Sequence, residues 1–328
     1  MMLDFLLLLI SSSIGLMLFL RLAPAMKLID APTARGLHEA PTIVGGGIVP
    51  IAIMASFLAL SGALPFATTI AAMMAGLAVV GLLDDRWSIP TLIRLVCYLG
   101  AGLTLPTMVV PPETMPLAVL LMVGVGVAWC INLVKFMDGA DGLVVLQTLS
   151  VAVGLGLIAT FAPEMSGSSG ALSPGLLSGL CAALFACFAP LLFFNWPPAR
   201  LFMGDAGAVP LGFYLALLGL VALYIDPALG WVWLVLMMPF LIDSGFTLCI
   251  RLLKGHAPHI AHRDHAYQRL TLRAGSSLPV ILGLLAMQVA WQFPLSVTIV
   301  TAQVFPPLLV LLSAIPALIV VVYARLSA

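Results

Sequence analysis

Aspartates that could hold a divalent cation recur in three short stretches of a chain with few other charges. They are Asp84, Asp85, Asp138, Asp141 and Asp205. Adjacent carboxylates repel each other, so the pair at 84 and 85 needs a metal ion, a proton or the neighbouring Arg86 to compensate. Magnesium prefers oxygen ligands and bridges phosphate groups. The pattern therefore favours a magnesium–pyrophosphate site over its plain alternative, helix-end carboxylates paired with Arg86 or Lys135.

Basic side chains lie close to these aspartates in the chain. Arg200 precedes Asp205 by five residues and follows a Pro197–Pro198 pair that keeps the backbone out of a helix. A second group consists of His262, Arg263, His265 and Arg269. Two histidines without a nearby third soft ligand make a poor zinc site. The group favours phosphate binding, and the alternative is a basic loop whose charge only orients the protein.

The segments that must position these residues are strongly apolar. A mean hydropathy of +1.20, with 62% hydrophobic and 8% charged residues, excludes a soluble globular domain. Runs long enough to cross a bilayer as helices, about 20 residues each, lie near 2–22, 45–63, 67–83, 92–110, 116–134, 142–162, 173–194, 207–224, 229–250, 278–296 and 303–323. The sequence predicts an all-α polytopic membrane protein with about eleven transmembrane helices, forming a single domain over residues 1–328.

The charges are distributed asymmetrically between the connecting loops. If the N-terminus lies outside, all 13 lysines and arginines fall on the inner side. The outer loops then carry only acidic charges, at Asp4, Glu113, Glu164 and Asp226. Positively charged loops are typically cytoplasmic, so we expect a cytoplasmic C-terminus. The aspartates, arginines and histidines named above share that side, which predicts one active site formed by cytoplasmic loops.

Asp243 differs from the other aspartates because it lies inside the ninth predicted span. An ionisable residue at such a depth is a functional candidate by default, and pairing with a neighbouring helix is the structural alternative. An intramembrane carboxylate together with Gly-interrupted helices is also typical of transporters. A membrane transporter is therefore the alternative function, although the polar residues gather at one edge of the membrane and the chain shows no related halves.

Five motifs in the cytoplasmic loops resemble the polyprenyl-phosphate N-acetylhexosamine-1-phosphate transferases, which make the first lipid-linked sugar of bacterial surface polymers. In chain order they read D-x-P-x-x-R-x-x-H-x-x-P-x-x-x-G-G, L-D-D-R, N-x-x-x-F-M-D-G-x-D-G, P-A-R-L-F-M-G-D-A-G and H-x-x-H-x-Y-Q-R-L, between Asp30 and Leu270. The last motif ends in Tyr-Gln-Arg-Leu, where the muramoyl-pentapeptide branch has three consecutive histidines. The chain thus looks closest to the branch that starts O-antigen or other surface polysaccharides.

The resemblance implies a reaction and its participants. An N-acetylhexosamine-1-phosphate would pass from a UDP-sugar to undecaprenyl phosphate, giving an undecaprenyl-diphospho-sugar and UMP. The implied cofactor is Mg²⁺, with Mn²⁺ as a substitute. The partners would be the two substrates, without nucleic acid, and a homodimer is left open. The expected location is the bacterial inner membrane, with the active site facing the cytoplasm.

The same resemblance implies roles for individual residues. Asp205 would bind magnesium, Phe202 would stack on the uracil, and Asp84 would activate the acceptor phosphate. Asp85 and Asp138 complete the implied catalytic set. Substrate contacts are implied for Arg35, His38, Asn132, Lys135, Asp141, Arg200, Phe202, His262, Arg263, His265 and Arg269. The loop from His262 to Arg269 would contact the pyrophosphate and the sugar of the donor.

Lys135 departs from the family pattern, which usually has a second asparagine at this position. An amide oxygen can ligate a metal, whereas an ammonium group cannot. Two alternatives follow. Lys135 either points away and leaves the magnesium with one more water, or its charge binds a phosphate oxygen directly.

Overall fold

The computed structural model describes residues 2–31, 40–62, 64, 66–161, 172–256, 262–302 and 304–326. Its helices are α1 (Met2–Leu22), α2 (Ile48–Ser61), α3 (Ala67–Trp87), α4 (Thr91–Val109), α5 (Leu117–Met137), α6 (Leu143–Phe161), α7 (Pro174–Asn195), α8 (Asp205–Ile225), α9 (Pro227–Leu253), α10 (Ala266–Ala274), α11 (Leu278–Met287), α12 (Phe293–Thr301) and α13 (Pro306–Leu326). A π-helical turn, Gln288–Gln292, joins α11 and α12 into one segment. Two short strands, β1 (Ile29–Asp30) and β2 (Thr42–Ile43), pair antiparallel.

Within those ranges, ten segments are long and apolar enough to cross a membrane. This confirms the predicted all-α polytopic membrane protein. The second of the eleven predicted spans is the exception, because α2 has only 14 residues. At 1.5 Å per residue it is about 21 Å long, against a hydrocarbon core of about 30 Å. The apolar run near 45–63 overstates the helix because it begins with three glycines, and Gly62 stops α2 in a left-handed conformation at φ +58°.

Helix α8 forms the centre of the bundle. Nearly every residue along it is buried, and Phe213 and Tyr214 are fully enclosed. It packs against α3, α5 and α9. Gly81 of α3 permits the closest approach, because a Cβ at that position would lie 2.2 Å from the carbonyl oxygen of Asp205. The acidic end of α3 is consequently pressed against the first turn of α8.

The segment before α8 is fixed by backbone pairing with the residues that precede α2. The backbone nitrogen of Phe202 donates to the Ile43 carbonyl at 2.8 Å, and the Phe202 carbonyl accepts from Gly46 at 2.9 Å. The buried Asn195 side chain accepts from the Gly142 nitrogen at 2.9 Å and donates to the Leu201 carbonyl at 2.9 Å. These bonds hold the stretch leading to Asp205 against the α5–α6 turn, which brings three separate loops together.

Candidate active site

The converging loops enclose a cavity of about 270 Å³ that is rich in carboxylates. Five of its lining residues are acidic: Asp30, Asp85, Asp138, Asp141 and Asp205. Phe202 and Gln268 also line this acidic cavity. The sequence predicted that Asp85, Asp138, Asp141 and Asp205 belong to one site, and the structure brings these four together. Asp30 joins them from β1.

Asp84 faces away from its neighbour Asp85 and binds two cations. Its Oδ2 accepts hydrogen bonds from Arg94 of α4 and from Lys135 of α5. The Asp84 side chain is only 4% exposed, and its Oδ1 has no hydrogen-bond partner within the described part of the chain. Of the basic residues that the sequence offered as partners, Lys135 binds Asp84. The Arg86 guanidinium instead lies over the Trp87 ring, 5.5 Å from its centroid.

Asp85 is compensated by backbone groups. Its two carboxylate oxygens accept from the backbone nitrogens of Asp205, at 3.1 Å, and Ala206, at 3.2 Å. These are unsatisfied N–H groups in the first turn of α8, where a negative charge is also favoured by the helix dipole. Asp85 therefore fixes the end of α3 to the start of α8 and sets the position of Asp205.

Lys135 lies between two carboxylates. Besides Asp84, its Nζ binds Oδ2 of Asp205 at 2.5 Å, and its side chain is 13% exposed. Of the two sequence alternatives, the structure shows an inward-facing lysine. Its ammonium lies between the carboxylates of Asp84 and Asp205. A metal ion bound by these carboxylates, or a phosphate bound by the lysine, would therefore come close to it.

Asp138 and Asp141 belong to the turn between α5 and α6. Burial raises the pKa of Asp138 well above its usual range, and the negative charges of Asp205 and Asp85 raise it further. Oδ2 of Asp141 accepts from the Ala199 nitrogen at 3.0 Å, which ties this turn to the α7–α8 loop. The crowding of carboxylates creates a negative potential that a cation entering the cavity would relieve.

A second opening, which we call the lipid groove, lies beside the acidic cavity between α4, α5 and α9. It has a volume of about 490 Å³, and most of its wall is apolar: Leu92, Leu95, Leu99, Val125, Ala128, Trp129 and Leu248. Its polar lining consists of Thr91, Arg94, Tyr98, Asn132, Lys135, Ser244, His262 and His265. Lys135 thus lines the lipid groove while its ammonium binds Asp205 of the acidic cavity.

Helix α10 is anchored by Asp243, the carboxylate that the sequence placed inside the ninth span. Asp243 is 5% exposed, and its oxygens accept from the backbone nitrogens of Ala266 at 2.9 Å and Tyr267 at 3.1 Å. The Tyr267 hydroxyl donates to the Phe136 carbonyl at 2.9 Å. Asp243 therefore caps α10, and this local role accounts for the carboxylate, which was one of the two features that favoured a transporter.

Comparison with known proteins agrees with this architecture. The model of glycosyl transferase family 4 matches residues 67–223. A probable undecaprenyl-phosphate N-acetylglucosaminyl 1-phosphate transferase of Bacillus subtilis is 29% identical over 278 residues, which cover 76% of this chain and 71% of that protein. A putative glycosyltransferase of Methanocaldococcus jannaschii is 27% identical over 209 residues, covering 64% and 62%. Over residues 67–223 the chain is similar to glycosyl transferase family 4.

The family match covers most of the acidic cavity. It begins at the first residue of α3 and ends within α8, so it contains Asp84, Asp85, Asp138, Asp141 and Asp205. The family match and the Bacillus relative confirm the resemblance to the polyprenyl-phosphate sugar-phosphate transferases that the five motifs indicated. The α10 region, including both histidines of the lipid groove, lies beyond the matched residues.

Several residues that the family pattern suggested lie elsewhere. The exposed Arg200 stacks over Phe193 and Phe194, at 5.3 and 5.5 Å from the ring centroids, and lines neither chamber. Arg269 donates to Asp264 at 3.2 Å and, like Arg263, is absent from both linings. Asn132 lies in the lipid groove and not in the acidic cavity. Arg35, His38 and the predicted outer residue Glu164 lie outside the described residues.

Other residues of the two chambers were missed from the sequence. Arg94, Asn195 and Gln268 all line one of the two chambers, and Asp264 organises the loop before α10 through Arg251 and Arg269. Arg94 had a usable signal: it is a lone arginine near the start of an apolar helix, where a buried partner is expected. Asn195 had none, because its partners are backbone groups.

Proposed function

We propose that this protein transfers an N-acetylhexosamine-1-phosphate from a UDP-sugar to undecaprenyl phosphate and releases UMP. The observation that carries the proposal is the pairing of two chambers of opposite chemistry. A carboxylate-rich cavity, suited to a metal-bound diphosphate, adjoins an apolar groove with cations at its polar end. The Bacillus relative carries undecaprenyl phosphate and N-acetylglucosaminyl 1-phosphate in its name, and its similarity supports the same substrate classes here.

The acidic cavity is proposed to bind the donor. Phe202 offers a half-buried aromatic face for the uracil. The carboxylates that line the cavity fit magnesium, because this ion prefers oxygen ligands and usually takes one or two carboxylates plus substrate phosphates and waters. Asp205 would hold it, with Asp138 and Asp141 nearby. When bound, magnesium would neutralise charge on the pyrophosphate.

The lipid groove is proposed to bind the acceptor. Its leucines, valine and tryptophan suit a polyprenyl chain, and the groove lies between helices that span the membrane. Arg94 and Lys135 stand among its polar residues, so the lipid phosphate would meet two cations there. Charge complementarity and the apolar wall together favour a phospholipid-like acceptor over a soluble one.

The reaction needs a bond between an acceptor oxygen and the sugar-bearing phosphorus, while the bond from that phosphorus to UMP breaks. A phosphate monoester has a second pKa of about 6, so the acceptor oxygen is largely ionised at neutral pH. Positioning therefore matters more than proton removal. We assign Asp84 as a positioning residue that holds Arg94 and Lys135, in place of the phosphate-activating role that the sequence suggested.

This step would initiate a lipid-linked surface glycan such as O-antigen. The decisive measurement is UMP release by purified protein given undecaprenyl phosphate, magnesium and a panel of UDP-sugars. We expect release only when the lipid phosphate and a UDP-N-acetylhexosamine are both present. Absence of UMP with every donor would refute the proposal, and sugar-nucleotide uptake into proteoliposomes without UMP release would establish a transporter.

The proposed orientation places both chambers on the cytoplasmic side of the inner membrane. In a variant whose five native cysteines are replaced, we expect Arg200→Cys to resist an impermeant thiol reagent in intact cells and Glu113→Cys to be labelled. Arg200 is exposed and lines neither chamber, so its replacement should preserve the site. Labelling of the cysteine at position 200 from outside would overturn the orientation.

A further inference from the structure

The two histidines before α10 belong to the lipid groove. Both His262 and His265 line it, and neither lines the acidic cavity. Their rings stack on each other, with centroids 5.1 Å apart. The ring of His265 also approaches Phe136, another lining residue, at 6.5 Å. The pair therefore forms part of the wall that Arg94 and Lys135 continue.

His262 is fixed in one tautomer. The backbone nitrogen of Asp264 donates to its Nδ1 at 3.3 Å. Burial, together with the neighbouring His265 and Arg251, lowers the pKa of His262 to about 4. At neutral pH the imidazole is uncharged, and because Nδ1 accepts a hydrogen bond, Nε2 carries the hydrogen. His262 thus offers a single N–H donor to a ligand.

The loop that carries the pair is held on several sides. Asp264 accepts from Arg251 at 2.6 Å, and Arg325 donates to its carbonyl at 3.2 Å. His265 is 4% exposed, its Nδ1 lies 3.4 Å from Oδ1 of Asp243, and that nitrogen has no hydrogen-bond partner among the described residues. These contacts hold both imidazole rings in position before a ligand binds.

We propose that His262 and His265 bind the phosphate of the polyprenyl acceptor and do not contact the sugar-nucleotide donor. The inference rests on the proposed function and assigns these residues to one of its two substrates. It differs from the sequence-based expectation, in which the same loop contacts the donor. Gln268, three residues beyond His265, lines the acidic cavity, so the α10 region would serve both substrates through different residues.

Steady-state kinetics of His262→Ala, with Gln268→Ala as the matched control, test the assignment. For His262→Ala we expect the KM for undecaprenyl phosphate to rise about tenfold or more, the loss typical of a hydrogen bond to a charged group. Its KM for the UDP-sugar should stay within about twofold. Gln268→Ala should show the reverse pattern. His262→Gln retains an N–H donor and should recover much of the acceptor affinity.

A rise in the donor KM of His262→Ala, or equal changes for both substrates, would overturn the inference. If the variants do not fold, a protection experiment on the wild-type protein still tests the assignment of the histidines to the acceptor. Undecaprenyl phosphate should protect His262, the more exposed of the two histidines, from diethyl pyrocarbonate, read by peptide mass spectrometry, whereas the UDP-sugar alone should not. Protection by the donor only, or by neither, refutes the assignment. Failure of the wild type to release UMP would instead refute the proposed function.

Discussion

Asp205→Asn is expected to lower the rate of sugar-phosphate transfer by about a thousandfold or more. A neutral amide would hold the magnesium ion at the pyrophosphate more weakly than a carboxylate does. The fold should survive. Asp205 starts α8, and the bonds that secure this turn run from its backbone nitrogen to Asp85. Lys135 also keeps a carboxylate partner in Asp84. UMP release should likewise stop in chelator and return with Mg²⁺ or Mn²⁺.

The matched control is Asp226→Asn, which makes the same replacement at the opposite end of the helix. Asp226 follows α8 and caps α9 by accepting from the Ala228 nitrogen at 2.6 Å. Asparagine caps a helix about as well as aspartate, so this replacement should leave both the stability and the transfer rate near wild type. An Asp205→Asn enzyme that keeps more than about a tenth of the wild-type rate would contradict the assignment of Asp205.

Lys135→Asn is expected to bind magnesium about tenfold more tightly than wild type, because it removes a cation that competes for Asp84 and Asp205. Calorimetric titration of magnesium, or the melting temperature against magnesium concentration, reads this without turnover. Substantial activity should remain, since an amide oxygen can ligate the ion. Lys135→Ala should lower kcat and the affinity for both substrates, because it removes a cation proposed to meet the lipid phosphate and supplies no oxygen to the ion at Asp205.

Two results would contradict these expectations for Lys135. Equal magnesium affinity in wild type and Lys135→Asn would show that the ammonium does not compete with the ion. A wild-type rate for Lys135→Ala across a magnesium titration would rule out a contact between Lys135 and a phosphate. Asp84 should remain paired in both variants, because Arg94 stays in place.

The membrane architecture could be predicted from the sequence because long apolar runs leave few alternatives to helices. Hydropathy could not mark where α2 stops, since glycines interrupt a helix without making the run polar. The acidic cavity was predicted in outline because its carboxylates carry a chemical signature in a chain with 8% charged residues. That signature says which residues are functional candidates, but not which neighbour each one meets.

Individual contacts were predicted least well where proximity along the chain was used as evidence. Arg200 is five residues from Asp205, yet the extended segment between them turns its guanidinium onto Phe193 and Phe194. Asp84 finds Arg94 in the next helix instead of the adjacent Arg86. Asp85 and Asp243 accept from backbone N–H groups, which every residue but proline possesses. No side-chain pattern could reveal those two helix caps.

The acidic cavity and the lipid groove have separate walls: no described residue lines both, and the Lys135 side chain reaches from one to the other. A water-soluble nucleotide and a membrane-bound lipid would therefore reach the site through separate entrances, and neither would need the other to bind first. For the proposed transferase we expect the two substrates to bind in random order. An inhibitor that copies only the nucleotide should compete with the donor and be noncompetitive toward the lipid, whereas a molecule long enough to pass Lys135 would block both entrances at once.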